Sequence, residues 1–273
     1  MRKILTWSFG LIVAVNVVLA CTKVPITGRR QFNVIPDAIM LPVGASAYQT
    51  TLSGLRVAHR GEKHDTVQEV GERIAKVAGS QKYDWEFALV KDGDTANAWA
   101  LPGGKVAVYS GILPVCKNEA GLAFIMGHEV GHVTARHGSE RLSQQLAVLG
   151  GLAGLYLYLD NKTELSQEQQ AIILAAVGVG SEVGVVLPFS RKHEREADVI
   201  GMMYMAGAGY PPKQAIKIWT RMEQAEGSSA LPTFLSTHPS YDDRQENLRE
   251  WLSKAERRYE RNKLDRDTTT ALW

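Results

Sequence analysis

The chain has 273 residues, and its 45% hydrophobic content is enough to bury a core in one large or two modest domains. Its 31 basic and 29 acidic residues leave a formal net charge of +2, which provides no basic face for nucleic acid. This charge balance argues against nucleic acid as a partner.

Residues 1–20 have the pattern of a secretory signal peptide, with a basic head, Met1-Arg2-Lys3, before a mostly apolar run. Small residues precede Cys21, as in a bacterial lipobox, where the cysteine is lipidated and becomes the mature N-terminus. An uncleaved anchor helix with an incidental cysteine is the alternative. Lipid on Cys21 would hold the protein to a membrane. Thr22 after it is compatible with a bacterial outer membrane, with the protein facing the periplasm.

The rest of the chain divides into three predicted segments. Residues 21–43 contain three prolines and no sustained periodicity, which indicates an irregular tether. Residues 44–252 carry the motifs described below and form the predicted main domain. Residues 253–273 have mixed charges without apolar periodicity, which indicates a solvated tail. Cys116 has no partner if Cys21 is lipidated, so we expect a small buried apolar residue rather than a disulfide.

A helix and a small sheet are predicted in the first half of the main domain. Apolar residues at spacings of three and four predict an amphipathic helix over residues 66–78. Residues 85–90 predict a strand, and residues 97–101 and 105–110 flank Pro102-Gly103-Gly104 as a hairpin would. An extended substrate could add a strand to an exposed edge of this sheet, with a purely structural hairpin as the alternative.

The apolar run Leu122–Met126 predicts a helix that continues into Gly127-His128-Glu129-Val130-Gly131-His132. His128 and His132 then lie one turn apart on one face, where both imidazoles can hold one metal ion. Glu129 is rotated off that axis and is free to accept a proton from water. This is the H-E-x-x-H arrangement of zinc hydrolases, and a helix with two solvated histidines is the alternative. His137 falls on the opposite side of a continuous helix from His128, so it is a poor third ligand unless the helix breaks.

Two apolar stretches, residues 146–159 and 171–187, predict a helical hairpin over the cleft. Partial insertion of this hairpin into a membrane is the alternative. A second charged motif follows these stretches. Residues 190–198 open a helix on which Glu194 and Asp198 share a face. Glu194 can complete a metal site of two histidines and one glutamate, and Asp198 can fix the tautomer of a ligating imidazole. The alternative is that both acids pair with nearby arginines on a wet helix face.

The chain resembles the HtpX, BepA and LoiP group of membrane-associated zinc metallopeptidases, which are relatives of the CaaX prenyl protease. The resemblance covers residues 43–252, and the N-terminal lipobox is similar to that of the LoiP type. The matching motifs are Asn97-Ala98-Trp99-Ala100-Leu101-Pro102-Gly103-Gly104, His128-Glu129-Val130-Gly131-His132, Ser190-Arg191-Lys192-His193-Glu194-Arg195-Glu196-Ala197-Asp198, and His238-Pro239 followed by Arg244.

This resemblance implies an α+β zincin-type fold, mostly helical, for residues 44–252. It implies one Zn²⁺ on His128, His132 and Glu194, with Glu129 as general base. Asn97 and Ala98 would hold the substrate backbone. The implied substrates are unfolded or misassembled cell-envelope proteins, and outer-membrane assembly machinery is a further implied partner.

Two residues near the C-terminus receive specific roles. Arg244 in the family signature could stabilise the oxyanion of the tetrahedral intermediate, and a surface pairing with Asp242 or Asp243 is the alternative. His238 is held outside a helix by Pro239. In related enzymes the matching histidine can fill the fourth zinc position, so His238 is expected to cap the metal, with a loop or substrate contact as the alternative.

Two other functions fit parts of the pattern. One is a metal-bearing periplasmic chaperone or assembly factor with little proteolytic turnover, which the intact Glu129 argues against. The other is a deformylase-like hydrolase with Cys116 as a metal ligand, in which Glu194 would have no role.

Overall fold

The structure is a computed structural model that describes residues 21–79, 81–160, 190–224, 232–239 and 243–273. Over these residues the chain is mostly helical with two small sheets, so the predicted α+β class is confirmed. The described chain divides into two compact units. The smaller contains residues 21–22, 30–35 and 139–160, and the larger contains residues 23–29, 36–138 and the described residues from 190 onward.

In chain order, the elements are β1 (Cys21–Lys23), β2 (Arg30–Phe32), α1 (Asp37–Ser53), β3 (Val57–Ala58), α2 (Glu62–Ala78), β4 (Glu86–Val90), β5 (Ala98–Leu101), β6 (Lys105–Tyr109), α3 (Leu113–Cys116), α4 (Glu119–Thr134), α5 (His137–Asp160), α6 (Arg191–Gly207), α7 (Lys213–Gln224), α8 (Pro232–Thr237) and α9 (Arg244–Glu260). Strands β1 and β2 pair with each other in a two-stranded sheet.

The main sheet precedes helices α3 and α4 in the chain, and its strand order is β3-β4-β6-β5. Strand β4 runs parallel to β6, whereas β5 pairs antiparallel to β6 with Ala98 opposite Val108. The predicted hairpin is therefore confirmed. Its turn needs glycine, because Gly103 and Gly104 both have positive φ angles, 93° and 88°. Strand β5 is an edge strand of this sheet.

Helix α2 begins four residues earlier than the periodicity predicted, at Glu62, and carries its apolar stripe into the core. Val67, Val70 and Ile74 are fully buried there. Gln68 also ties α2 to the sheet by donating from Nε2 to the Phe87 carbonyl at 2.6 Å. Helix α2 and the main sheet both pack against α4.

The predicted irregular tether over residues 21–43 is wrong in its second half. Helix α1 begins at Asp37 and includes Pro42. Pro42 is the sixth residue of this helix and has no amide hydrogen, so the helix lacks the hydrogen bond that this position would donate to the Ala38 carbonyl. Met40 and Tyr48 are buried on the inner side of this helix.

The predicted solvated tail over residues 253–273 is mostly exposed, but it begins as a helix and is held to the domain. Helix α9 continues to Glu260 with Ala255 buried, and the chain after it packs on the start of α4. The Ala120 amide donates to the Thr268 carbonyl at 3.1 Å, and Asn118 Nδ2 donates to the Thr269 carbonyl at 2.9 Å. Backbone hydrogen bonds hold this segment, which explains why its side chains show no apolar periodicity.

Two predicted features fall outside the described residues, namely the signal peptide over residues 1–20 and the second apolar stretch over residues 171–187. The first apolar stretch lies within α5. Among the described helices, none combines the length and apolar content needed to cross a bilayer.

We expect native Cys116 to resist alkylation. Its side chain is fully buried at the end of α3, and burial raises the pKa of its thiol to about 12, so thiolate is scarce at neutral pH. Iodoacetamide labelling at pH 7.5, read by mass spectrometry, should modify Cys116 only after denaturant is added. Rapid labelling of the folded protein would contradict this placement.

Candidate active site

Helix α4 is the centre of the site, and it is buried on all sides from Ala120 to Thr134. Asn118 caps its first turn by accepting a hydrogen bond from the Gly121 amide at 2.9 Å. A helix that is buried all round has no solvent-exposed face. The alternative of two solvated histidines is therefore wrong, since His128 is 1% and His132 is 4% exposed.

Helices α4 and α6 cross with their backbones almost in contact, at Gly127 and Gly201. A Cβ on Gly127 would lie 2.8 Å from the Gly201 carbonyl oxygen, and a Cβ on Gly201 would lie 2.6 Å from the His128 amide nitrogen. Only glycine fits at either position. This close approach brings the imidazoles of α4 within reach of the carboxylates of α6.

Four side chains converge at this crossing, namely His128, His132, Glu194 and His238, with donor atoms all within 4.8 Å of one another. The Nε2 atoms of His128 and His132 are 3.0 Å apart. His238 Nδ1 lies 3.2 Å from His128 Nε2 and 3.2 Å from Glu194 Oε1. Imidazole lone pairs repel at such distances unless a proton or cation lies between them, so the donor set fits a divalent metal ion.

Glu194 is completely buried, and the groups around it favour its ionised form. Burial alone would raise the pKa of Glu194, but the Arg244 guanidinium and the surrounding imidazoles hold it well below its usual range. The group therefore offers a negative charge to a cation at neutral pH. Cys116 is not one of the converging donors. A deformylase-like site would need Cys116 as a metal ligand, so the geometry does not support that alternative.

Glu129 lies beside the four donors rather than among them. Its Oε1 is 3.4 Å from His238 Nε2 and accepts no hydrogen bond from the described residues. Burial raises the pKa of Glu129 to about 7, although the nearby His238 partly offsets this effect. A carboxylate with a pKa near neutrality is suited to accept and release a proton.

Arg244 is 1% exposed and holds two carboxylates of α6 together. Its Nε and Nη2 donate to the two oxygens of Asp198, each at 2.7 Å, and its Nη1 donates to Glu194 Oε2 at 2.7 Å. The guanidinium also stacks over the Trp219 ring, with Cζ 3.6 Å from the ring centroid. The alternative of a surface arginine is wrong, because Asp243 pairs with Arg195 instead.

Asp198 connects this clamp to the converging histidines. Its Oδ1 lies 3.0 Å from His128 Nδ1, the ring nitrogen that faces away from the other donors. Asp198 and Glu194 are both 0% exposed, so their alternative placement on a wet helix face is wrong.

His137 was not expected at the site, and it contacts His132 because helix α4 ends before it. Ala135 caps α4 and Arg136 has a φ of 56°, so the chain turns before α5 begins at His137. His137 Nδ1 then lies 3.0 Å from His132 Nδ1. The sequence pattern missed this contact because it assumed a continuous helix. Glu196, on α6 between Glu194 and Asp198, was also missed, and its Oε2 lies 3.0 Å from His137 Nε2.

The predicted substrate-holding residues lie at the start of the edge strand β5. Asn97 is 9% exposed, and its carbonyl accepts a hydrogen bond from the Tyr109 amide at 2.9 Å. Its side-chain Oδ1 accepts no hydrogen bond from the described residues. Ala98 is fully buried, so only its backbone is suited to contact a substrate.

Comparisons with known proteins agree with this geometry. The profile of peptidase family M48 matches residues 62–252. Mitochondrial metalloendopeptidase OMA1 of Schizosaccharomyces pombe is 37% identical over 92% of this chain and 73% of its own length. The Saccharomyces cerevisiae protein of the same name is 32% identical over 88% and 71%. The beta-barrel assembly-enhancing protease of Escherichia coli K12 is 31% identical over 65% of this chain and 36% of its own length.

The predicted location at a bacterial outer membrane, facing the periplasm, is wrong. The two yeast relatives match 92% and 88% of the chain, and both are mitochondrial by name. The family profile and the metalloendopeptidase relatives agree with the converging donors, and the chain is therefore a metalloendopeptidase of peptidase family M48.

Proposed function

We propose that the chain is a zinc-dependent endopeptidase that hydrolyses peptide bonds of unfolded or misassembled polypeptides. The observation that carries this proposal is the convergence of three imidazoles and one carboxylate beside the buried Glu129. Two histidines and one glutamate form a common catalytic zinc set. In this proposal His128, His132 and Glu194 are the permanent ligands.

The residues around the metal divide the chemistry between them. Zinc, when bound, acts as a Lewis acid that polarises the scissile carbonyl and acidifies water. Glu129 accepts the proton of the attacking water on a carboxylate oxygen and passes it to the leaving amine nitrogen. Asp198 holds the His128 ring through Nδ1, so that Nε2 presents its lone pair.

For Arg244, the geometry favours a holding role over the oxyanion role predicted from the sequence. Its Nε, Nη1 and Nη2 already donate to Asp198 and Glu194, and Nη1 also donates to the Pro239 carbonyl at 3.0 Å. A guanidinium engaged in this way keeps the two carboxylates in place. The oxyanion role stays a prediction.

The edge strand β5 supports a substrate that binds in extended form. A peptide beside β5 would pair with the strand edge that no described strand covers, with Asn97 just before that strand and Ala98 at its start. Such pairing uses backbone groups and needs an unfolded segment, which favours unfolded or misassembled substrates. The envelope origin of these substrates depended on the location that the comparisons contradict, and it is not proposed.

Glu194→Ala tests the metal assignment. Loss of this ligand should weaken zinc binding by more than the roughly 10- to 100-fold that loss of a supporting hydrogen bond costs. Zinc content after dialysis and competition with a chromophoric chelator measure the effect. Glu223→Ala, at an exposed position of α7, is the matched control and should keep one zinc per chain. One tightly held zinc in Glu194→Ala would end its assignment as a ligand.

His238→Ala tests whether His238 caps the metal. Because His238 Nδ1 points at the other donors, we propose that it fills the fourth position and must move when substrate binds. The variant should then cleave casein several-fold faster with zinc retained, whereas Ser236→Ala, at an exposed position of α8, should not change the rate. Slower cleavage with unchanged zinc affinity would instead make His238 a substrate contact.

Membrane attachment and partners remain outside this proposal. The LoiP-type resemblance and lipid on Cys21 stay predictions. Enhancement of beta-barrel assembly belongs to the Escherichia coli relative by name, and this chain spans 36% of that protein. A metal-bearing chaperone would show little proteolytic turnover. Wild-type turnover that exceeds that of Glu129→Gln would therefore reject this alternative.

A further inference from the structure

The two histidines of helix α4 are supported in different ways. His128 Nδ1 meets the carboxylate of Asp198 directly. His132 Nδ1 meets a second imidazole, His137, and His137 Nε2 meets the carboxylate of Glu196. The two Nδ1 atoms are 3.0 Å apart, and His137 Nε2 is 3.0 Å from Glu196 Oε2. The His137 side chain is completely buried.

The hydrogen-bond donors around Glu196 determine where the protons lie. Glu196 Oε1 accepts from Thr27 Oγ1 at 2.5 Å, and Oε2 accepts from Arg29 Nε and Nη2, each at 2.6 Å. A carboxylate held by an arginine acts only as an acceptor, so the His137 nitrogen that faces it carries hydrogen. The other His137 nitrogen, Nδ1, then presents a lone pair.

That lone pair has a direct consequence for His132. A hydrogen bond between the two Nδ1 atoms requires the hydrogen to lie on His132. His132 is thereby held in the tautomer whose Nε2 lone pair points toward His128 and Glu194.

We infer that His137 and Glu196 are positioning residues that fix the tautomer and ring orientation of His132, with Thr27 and Arg29 as the anchor of this relay. The inference rests on the proposed function of His132 as a zinc ligand. The relay parallels the Arg244–Asp198–His128 arrangement, except that one imidazole is inserted between carboxylate and ligand.

The anchor residues Thr27 and Arg29 lie in a hydrogen-bonded turn on the N-terminal side of the domain. The Val24 amide donates to the Arg29 carbonyl at 2.8 Å, and the Gly28 amide donates to the Val24 carbonyl at 3.0 Å. Ile26 and Gly28 have φ angles of 67° and 70°, and Val24 is buried in the core. This turn precedes residue 62, where the family match begins, so Arg29 supports the site from outside the matched region.

The test compares His137→Leu with His137→Asn in the full chain. An Asn side chain can present its amide oxygen near the position of Nδ1, whereas Leu fills the space without an acceptor. Zinc affinity by chelator competition should fall about 10- to 100-fold in His137→Leu and recover most of that loss in His137→Asn. The visible absorption of the Co²⁺-loaded protein should shift in His137→Leu and return toward wild type in His137→Asn.

Equal impairment of both variants, or wild-type affinity and spectrum in His137→Leu, would overturn the inference. If His137→Leu does not fold, Arg29→Gln carries the test, because Arg29 lies on the turn and its side chain is partly exposed. It should weaken zinc binding about tenfold, and unchanged affinity would overturn the relay. Failure of the wild-type protein to bind zinc is a different result, which rejects the proposed function itself.

Discussion

Glu129→Gln should lower proteolysis by about 10²- to 10⁴-fold, because the amide cannot accept the proton that general base catalysis requires. The substitution should have little effect on metal binding or on packing. Glu129 lies beside the converging donors rather than among them, and Gln has nearly the same volume. Zinc content should therefore remain at one per chain. Initial rates on fluorescent casein and metal analysis of the same preparation measure both effects.

The matched control for this prediction is Glu72→Gln, which makes the same chemical change at an exposed position of α2. It should leave rate and zinc content unchanged. Casein cleavage in Glu129→Gln at more than a tenth of the wild-type rate would reject Glu129 as the base. Loss of zinc from that variant would instead indicate that Glu129 contributes to metal binding.

Arg244→Ala should reduce the free energy of unfolding by about 3–5 kcal/mol, the usual cost of removing one partner from a buried ion pair. The variant leaves the carboxylates of Glu194 and Asp198 buried without their guanidinium, and it also exposes one face of Trp219. Urea unfolding followed by tryptophan fluorescence measures the change. Zinc-loaded protein should lose less stability than apoprotein, because the cation compensates part of the negative charge.

Arg195→Ala is the matched control, since Arg195 pairs with Asp243 and both side chains are 43% exposed. An exposed pair of this kind contributes about 1 kcal/mol or less. Equal effects in the two variants would mean that Arg244 does not act as a buried clamp.

Much of the site could be predicted from sequence because its geometry is local. His128 and His132 are four residues apart on one helix, so any regular helix puts them on one face. Glu194 and Asp198 repeat that spacing on α6, whose start at Ser190 is marked by a capping side chain that accepts from the His193 amide. The hairpin was predictable because two consecutive glycines supply the positive φ angles of its turn.

The features that escaped prediction depend on contacts between distant segments. Nothing local to Arg29 indicates that it reaches Glu196, 167 residues away. The break falls at Arg136, a non-glycine residue with a positive φ, which is costly and which the sequence does not predict; Gly138, two residues later, lies within α5. The last residues of the chain are held by backbone groups, and backbone groups leave no trace in a hydrophobic pattern.

The four converging donors have a thermodynamic consequence, because they come from α4, α6 and the segment after α8. A cation held by all of them cross-links parts of the chain that are far apart in sequence. Binding to the folded form alone adds about 2.7 kcal/mol to the free energy of unfolding when free metal is at 100 times its dissociation constant. Metal supply would then set the lifetime of the chain as well as its activity, since the unfolded form is the one that other proteases degrade.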